Sequence, residues 1–388
     1  SRESIEQGGV QALSDLYVRF HEEEANDPAL EQEGRDWFKR IEDGDPEALE
    51  IFNWFKALTL KDADRVYDLL GVTFDSYAGE SFYNDKMDRV INELRDKNLL
   101  VESDGAWVVD LADYDMPPCL ILKSDGATLY ATRDIAAALY RKDTYSFDKC
   151  LYVVAYQQDL HFRQVFKVLE LMGYAWAREQ MEHVAFGMIS YEGEALSTRK
   201  GNIVYLDDLL QKAQEKALHI IEEKSPGLQD KADTARQVGI GAVLFSDLYN
   251  SRIKDIDFRW DRALNFDGET GPYVQYTHAR CCSVLRKAGD LNAAPDYAAL
   301  HDAEALALHK LLAFFPEAVR EAALRNEPSI ITRAVTEIAK AYNKFYYEHR
   351  ILTEDEGCSA ARLLLTRAVR DVIRTGLYLV GMEAPEQM

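Results

Sequence analysis

Cysteine is scarce in this chain, and long apolar stretches are missing. The 388 residues include five cysteines, and none of them forms a Cys-x-x-Cys pair. This odd number of unpaired cysteines argues for reduced thiols in a cytosolic compartment and against a zinc site. No apolar run is long enough to span a bilayer, and no low-complexity tract or internal repeat occurs. We therefore expect an ordinary globular chain of two or three domains in the cytoplasm, without a structural metal.

Positive charge is also in short supply. The chain has 45 Lys and Arg residues against 67 Asp and Glu residues, which gives a net charge of −22. Most of the acidity lies at the beginning, because residues 1–116 hold 12 basic and 29 acidic side chains. The remaining residues are nearly balanced in charge, so they can still present local basic faces to phosphates. The net charge therefore does not exclude a nucleic-acid partner.

Residues 1–116 are predicted to be mostly helical. Apolar residues recur at helical spacing, and Asp45-Pro46 has the pattern of a helix start. Gly71 is suited to end a helix. Two short apolar runs on either side of residues 103–105 predict a β-hairpin. The prolines at 117 and 118 then mark the first predicted domain boundary.

Residues 117–205 have a different pattern. Short apolar runs at 119–122, 150–155 and 183–189 alternate with helical segments at 135–141 and 161–172. This alternation is typical of a parallel, doubly wound α/β sheet. Only three strands are visible, whereas a complete domain of this kind would need an earlier β-α portion that we do not find.

From residue 206 onward the pattern is helical. A helical connector is predicted at 206–262, and a helical bundle is predicted at 263–388. The helices predicted after the first part of the connector are 231–249, 271–288, 301–325, 330–348 and 357–380.

The first candidate site lies at a strand-to-helix junction within 123–134. Tyr130 and Asp134 are predicted on either side of this junction, where open parallel sheets bind ligands. A carboxylate binds a planar guanidinium in a bidentate pair, and a tyrosine adds a flat wall or a hydroxyl. The spacing also fits an Asp in the first turn of a helix, where a carboxylate suits the helix dipole.

Two further segments follow strand ends. Gln158 comes just after the second predicted strand, where an amide can both donate to and accept from a polar substrate group. The alternative is a solvated glutamine beside an Asp159 helix cap. Phe186, Gly187 and Met188 end the third strand, and the glycine permits a flat base to approach the backbone. Core packing of Phe186 and Met188 is the alternative.

A polar, basic loop follows the third predicted strand. It contains Ser197, Thr198, Arg199 and Lys200, of which the last two are candidate cations for phosphate groups. A lone basic loop is more often a solvated turn. The phosphate-binding interpretation comes from the resemblance described below.

The helix after Gly271-Pro272 carries aromatic and basic residues. Four of them lie near one face, a combination that suits the stacking of unpaired RNA bases: Tyr273, Tyr276, Arg280 and Arg286. Without further context, tyrosines half-buried between bundle helices would be the favoured alternative. Tyr346 and Met388 join this group through the resemblance described next.

Together these strings resemble class I arginyl-tRNA synthetases over essentially the whole chain. The match is most specific at 123–134, 157–161 and 268–286. The resemblance implies that Tyr130 and Asp134 face the guanidinium of a substrate arginine. It also implies that Gln158 helps to hold the amino-acid end of that substrate.

The resemblance further implies where ATP and tRNA bind. Residues 186–188 would border the adenine, and the loop with Ser197, Thr198, Arg199 and Lys200 would close over the phosphates. That loop departs from the full Lys-Met-Ser-Lys-Ser signature, because Ala195 and Thr198 stand where the signature has lysines. The implied anticodon and tRNA contacts are Tyr273, Tyr276, Arg280, Tyr346 and Met388, the last being expected as a native C-terminus.

The implied fold is a partial doubly wound, Rossmann-like parallel sheet with a helical insertion and a C-terminal helical-bundle anticodon-binding domain. In this scheme 1–116 is the acidic insertion, 117–205 is the second half of the catalytic domain, and 206–262 is a connector that contacts the tRNA stem. The implied activity is ATP-dependent ligation of L-arginine to tRNA(Arg) through arginyl-adenylate. Magnesium would arrive with ATP, and the protein is expected to be a monomer with no resident metal.

One signature of the family is missing. No His-x-Gly-His string, which in the family binds the ATP phosphates, occurs in the 388 residues. We therefore expect an N-terminally truncated chain with an incomplete active site and little activity. The alternatives are a non-catalytic tRNA-binding fragment or paralogue and, less favoured, a helical interaction scaffold.

Overall fold

The computed structural model describes residues 1–124, 127–196 and 204–388. Its contacts divide the chain into two compact units. The larger unit comprises residues 1–33, 50–72 and 188–388, and the smaller unit comprises residues 34–49 and 73–187. The predicted boundary at 117 falls inside the smaller unit.

The first part of the chain is helical, as predicted. The helices are α1 (Arg2–Glu24), α2 (Pro28–Glu42), α3 (Pro46–Leu70) and α4 (Met87–Asp96). The Asp45 carboxylate caps α3 by accepting the Ala48 amide at 2.9 Å. Gly71 follows the end of α3 with a φ of 65°, a left-handed conformation that glycine adopts without strain. The predicted start and end of this helix are therefore confirmed.

The first three strands of the smaller unit form an antiparallel sheet. It consists of β1 (Leu100–Ser103), β2 (Ala106–Val109) and β3 (Cys119–Leu122), in that order. The predicted hairpin is confirmed as β1 and β2. The assignment of β3 to the parallel sheet is wrong, because Cys119 pairs with Val109 in an antiparallel ladder. The connection from β2 is short, and a short connection favours an antiparallel neighbour over a parallel crossover.

A parallel β-α-β arrangement follows in the smaller unit. Its elements are α5 (Tyr130–Tyr145), β4 (Cys150–Ala155), α6 (Asp159–Leu171), α7 (Trp176–Gln180) and β5 (Met181–Phe186). β4 and β5 are parallel, with Cys150 opposite Met181 and Ala155 opposite Phe186. The core beneath them is apolar and fully buried. It includes Val90, Leu94, Ile121, Ile135, Val165 and Leu169.

A small sheet in the larger unit was not predicted. β6 (Ile189–Tyr191) lies between β7 (Glu194–Ala195) and β8 (Ile256–Phe258), and β6 is parallel to β8. The helical connector predicted at 206–262 therefore also contains a strand, β8, that the sequence analysis did not predict. This strand has three residues, too few to show the alternation of apolar and polar residues that signals a strand.

From residue 206 onward, helices account for most of the larger unit. They are α8 (Leu206–Lys224), α9 (Lys231–Leu248), α10 (Trp260–Ala263), α11 (Gly271–Ala288), α12 (Ala303–Arg325), α13 (Ser329–Glu348) and α14 (Glu356–Leu379). The five helices predicted after residue 230 are thus confirmed to within two residues. Phe245, Val335, Tyr342 and Phe345 lie in the buried core of this bundle. In the part of the chain that the structure describes, no helix is both long and apolar enough to cross a membrane.

Glycine permits close contacts between helices in the larger unit, and Gly239 is an example. A Cβ on Gly239 of α9 would lie 2.7 Å from the backbone carbon of Ala213 in α8. Real Cβ atoms do not approach backbone that closely, so only glycine allows the two helices to lie at this distance. The contact also shows that α8 and α9 pack backbone against backbone here.

Candidate functional sites

The carboxyl ends of β4 and β5 lie side by side. Ala155 at the end of β4 pairs with Phe186 at the end of β5. A short 3-10 helix, Tyr156–Gln158, then leads from β4 into α6, so Gln158 lies just beyond this edge of the sheet and is exposed. Ligands of open parallel sheets bind at such edges. The smaller unit therefore places Gln158 where the sequence predicts a substrate contact.

Tyr130 and Asp134 both lie in α5. The sequence predicted them on either side of a strand-to-helix junction, which is wrong, because Tyr130 is the first residue of the helix. Residues four apart share one face of a helix, so the two side chains are neighbours. Tyr130 is 69% exposed, and the Asp134 side chain is 33% exposed. Neither side chain is turned into the apolar core.

His161 contacts the Asp134 carboxylate. Its Nε2 lies 2.6 Å from Asp134 Oδ2, which links the first turn of α6 to α5. A carboxylate offers two oxygens and about four lone-pair positions, so this bond orients Asp134 and leaves further acceptor capacity. Gln158 precedes His161 by three residues. Tyr130, Asp134, His161 and Gln158 are thus connected by helical spacing and one hydrogen bond.

The sequence analysis did not assign His161 a role. The available signal was its position three residues after Gln158, but a lone histidine has many interpretations. The partner that gives it a role is 27 residues away on another helix. Only the packing of α5 against α6 brings the two side chains together.

Asp159 does not cap α6. It is the first residue of the helix, and its carboxylate lies 3.2 Å from Nδ1 of His183 on β5. The other ring nitrogen of His183, Nε2, lies 2.9 Å from the backbone oxygen of Val154 on β4. The histidine therefore ties both strands to the start of α6. It stabilises the backbone that presents Gln158.

Phe186 and Met188 do not pack in a core. Phe186 is 40% exposed and Met188 is 42% exposed, while Gly187 between them is buried. Within the larger unit, the Met188 amide donates to Asp255 Oδ1 at 2.7 Å. Phe186 at the end of β5 offers an apolar face of the kind that lines ligand pockets.

The predicted phosphate loop cannot be placed in this way. Ser197, Thr198, Arg199 and Lys200 lie outside the described residues. Their role therefore stays a prediction. The last described residue before them is Leu196.

The second candidate site is a cavity of about 950 Å³ within the larger unit. The Arg280 guanidinium carbon lies 4.8 Å from the ring centre of Tyr276 and 5.1 Å from that of Tyr346. Both rings are partly exposed, at 40% and 39%. Arginine beside aromatic faces is a common platform for nucleic-acid bases. Met388 also lines this cavity.

Tyr273 is not among the residues that line the cavity. It is half-buried and packs against the core of the bundle. For Tyr273, the alternative of a tyrosine between bundle helices therefore agrees with its surroundings. The remaining four residues predicted to contact tRNA, Tyr276, Arg280, Tyr346 and Met388, all line the cavity.

The cavity is basic although the chain is acidic. Among the described residues that line it, four are basic and none is acidic, in a chain with a net charge of −22. A local basic surface concentrates polyanions, and its effect weakens with salt. The four basic residues are Arg280, Arg286, Lys287 and Arg350. The sequence analysis named the first two of them.

One group in the larger unit has side chains that metals can use. The ligand atoms of Asp302, Glu304 and His349 lie within 4.8 Å of one another. Asp302 already has a structural role, because its carboxylate caps α12 by accepting the Ala305 amide at 2.7 Å. Lys344 lies 3.1 Å from Glu304 and, by hydrogen bonding, holds the pKa of that carboxyl below its usual value. The ammonium group of Lys344 therefore already supplies a positive charge beside Glu304.

Two family models match the chain. Residues 2–260 match the catalytic domain described as tRNA synthetases class I (R). Residues 274–388 match the DALR anticodon binding domain. The fold and these two domains define a class I aminoacyl-tRNA ligase with a helical anticodon-binding domain, as the resemblance predicted.

Curated relatives give the amino acid. The chain is 53% identical over 389 residues to an arginine–tRNA ligase of Alkaliphilus metalliredigens (strain QYMF), which covers 99% of this chain and 68% of the relative. It is 52% identical over 388 residues to an arginine–tRNA ligase of Halothermothrix orenii, covering 100% of this chain and 68% of the relative. The chain therefore belongs to the arginyl-tRNA synthetase family, whose members are enzymes.

Solved structures agree with this assignment. The Thermus thermophilus arginyl-tRNA synthetase matches with a TM-score of 0.82 and 30% identity, over 96% of this chain and 69% of that one. The Plasmodium falciparum arginyl-tRNA synthetase matches with a TM-score of 0.78 and 22% identity, over 93% of this chain and 62% of that one. At this lower identity the second match supports the fold alone.

Proposed function

We propose that the chain provides the arginine-binding and tRNA-binding parts of an enzyme that joins L-arginine to tRNA(Arg). The arginine carboxylate attacks the α-phosphate of ATP, which gives arginyl-adenylate and releases pyrophosphate. A ribose hydroxyl at the tRNA 3′ end then takes the arginyl group and releases AMP. Catalysis of this kind depends on positioning and electrostatic stabilisation and needs no covalent protein nucleophile.

The arginine site is assigned to the smaller unit. Asp134 binds the guanidinium, Tyr130 flanks it from the same face of α5, and Gln158 holds the amino-acid end. The observation that carries this assignment is the Asp134–His161 contact of 2.6 Å, which orients a partly exposed carboxylate one helical turn from Tyr130. A planar cation with several N–H donors matches such a fixed acceptor.

The tRNA site is assigned to the basic cavity of the larger unit. Tyr276, Arg280, Tyr346 and Met388 contact unpaired bases of the anticodon loop. Support comes from the rings beside Arg280, from the absence of acidic groups among the described lining residues, and from the match of 274–388 to an anticodon-binding domain. Tyr273 supports this site by packing in the bundle.

ATP is the second substrate and enters as its magnesium complex. Phe186, Gly187 and Met188 border the adenine, and Ser197, Thr198, Arg199 and Lys200 meet the phosphates. These assignments rest on the family resemblance together with the exposure of Phe186 and Met188. The same proposal holds that the protein is a cytoplasmic monomer. It also holds that the first three domains end at residues 116, 205 and 262.

The arginine assignment is tested by Asp134→Asn. The substitution keeps the shape of the side chain and removes the charge that pairs with the guanidinium. We expect arginine binding to weaken by about 1.5–3 kcal/mol, the range for a charge-assisted hydrogen bond. Equilibrium dialysis with labelled arginine in the presence of matched tRNA measures the change.

The control is Asp148→Asn, which removes the same charge at an exposed position before β4. It is expected to leave arginine affinity unchanged. If Asp134→Asn binds arginine as tightly as the unsubstituted chain, Asp134 is not the guanidinium contact. Dialysis against lysine adds a second check, because a point charge should be bound less well than a planar fork.

A further inference from the structure

Arg280 is held by a neutral side chain from another helix. Its Nη1 donates to Oδ1 of Asn343 on α13. Asn343 Nδ2 in turn donates to the hydroxyl of Thr277 at 2.9 Å, and that hydroxyl donates to the backbone oxygen of Tyr273 at 3.0 Å. Thr277 is fully buried. This series of bonds sets the orientation of the amide, with its oxygen toward the guanidinium.

Several other arginines among the described residues are held by carboxylates. Arg236 lies 2.6 Å from Glu383 and 2.8 Å from Asp233, and Arg259 lies 2.6 Å from Asp257. A carboxylate fixes a guanidinium strongly but cancels its charge. Among the described residues, no carboxylate oxygen lies within 4.0 Å of a nitrogen of the Arg280 guanidinium, which is the limit for an ion pair. Asn343 therefore fixes Arg280 and leaves its positive charge for another group.

We propose that Asn343 is a positioning residue for tRNA binding: it holds the Arg280 guanidinium beside the Tyr276 and Tyr346 rings without neutralising it. This inference rests on the proposed tRNA site. A base that stacks on either ring, and the phosphate beside that base, then meet a cation already in place, so less side-chain freedom is lost on binding. Lys or a freely rotating Arg would lose more.

A purely structural role for Asn343 makes different predictions. If the residue only joined α11 to α13, its substitution would change stability and leave the charge of the RNA site unaltered. The double variant with Arg280→Ala separates the two roles. A residue that acts through Arg280 adds no loss of tRNA affinity once Arg280 is gone, whereas a structural contact adds its own loss.

The test is filter binding of an arginine-accepting tRNA to the full chain over a salt series. We expect Asn343→Ala to weaken binding about tenfold with an unchanged slope, since Arg280 loses its fixed position but keeps its charge. We expect Asn343→Asp to weaken binding at least as much and to reduce the slope by about 0.7, the value for one charge on a single strand. Combining Asn343→Ala with Arg280→Ala should add no further loss to Arg280→Ala alone.

Controls separate the possible failures. Asn292→Asp adds the same charge on an exposed loop after α11 and is expected to keep the slope. Urea unfolding confirms that each variant is folded, and Asn343→Ser is a second small variant with the same expected result as Asn343→Ala. Wild-type affinity in Asn343→Ala, or additive losses in the double variant, would overturn the role of Asn343 while Arg280→Ala still weakens binding. Wild-type affinity in Arg280→Ala would instead overturn the proposed tRNA site.

Discussion

The two candidate sites present opposite charges with the same arrangement. In the smaller unit, an acidic side chain on α5 is oriented by His161 from α6. In the larger unit, a basic side chain on α11 is oriented by Asn343 from α13. In each case the charged residue stands out in the sequence, whereas its partner comes from a neighbouring helix and does not. The comparison shows that a charged side chain and the residue that orients it are specified at separate positions of the sequence.

The largest expected effect concerns the activation of arginine with ATP. Because the 388 residues contain no His-x-Gly-His string, we expect the polypeptide of this sequence to show little ATP–pyrophosphate exchange, even with arginine and tRNA present. The physical reason is that the 388 residues lack the histidines that, in the family, bind the ATP phosphates. Exchange assays with labelled pyrophosphate measure it, and robust exchange would show that other residues of the chain supply this charge.

The next effect tests whether the two sites are independent. Tyr346→Ala removes a ring beside Arg280 and should weaken tRNA binding by about 1–3 kcal/mol, the range for a stacked base. It should leave arginine binding unchanged. Filter binding and equilibrium dialysis on the same preparations provide the two measurements.

Tyr347→Ala is the matched control, because Tyr347 also lines the cavity and is 86% exposed but has no contact with Arg280 among the ring contacts of the described residues. We expect a smaller loss from it. If Asp134→Asn weakens tRNA binding as strongly as Tyr346→Ala does, the two sites are not separate.

The smallest effect concerns acid sensitivity in the larger unit. Burial lowers the pKa of His278 below its usual 6.5, although its Nδ1 donates to the Pro385 backbone oxygen at 2.9 Å. A lowered pKa means that the unfolded chain takes up the proton first. This contribution to stability is therefore present above pH 6.5 and is lost as the pH falls from 6.5 toward the pKa of the folded state.

Urea unfolding at pH 7.5 and pH 5.5 measures this contribution. His278→Asn keeps a donor near the position of Nδ1 and removes the titration, so it should lose less stability on acidification than the unsubstituted chain. The difference is at most about 1.4 kcal/mol per pH unit. Equal losses in both proteins would show that His278 does not carry the effect.

Much of the fold was predictable because local signals agree with it. Asp45-Pro46 and Gly71 mark the ends of α3, and the helices of the bundle follow from their apolar spacing. The pairing of strands was less predictable. β3 has the composition of a buried strand, but which strand it joins depends on how the chain returns after Pro117 and Pro118. β8 has three residues and is identifiable only by its pairing with β6.

The chemical types of the site residues were set by the sequence itself: a carboxylate with a phenol, an amide after a strand, and aromatic rings with an arginine. The order of these residues in the sequence indicated the family without coordinates, because sequences can be compared when distances are unknown. What the tertiary structure alone decided is which partners orient them. His161 meets Asp134 over 27 residues, Asn343 meets Arg280 over 63, and Tyr273 packs into the bundle instead of lining the cavity. Such contacts arise from helix packing, which depends on many side chains at once and leaves no signal at the two residues that finally meet.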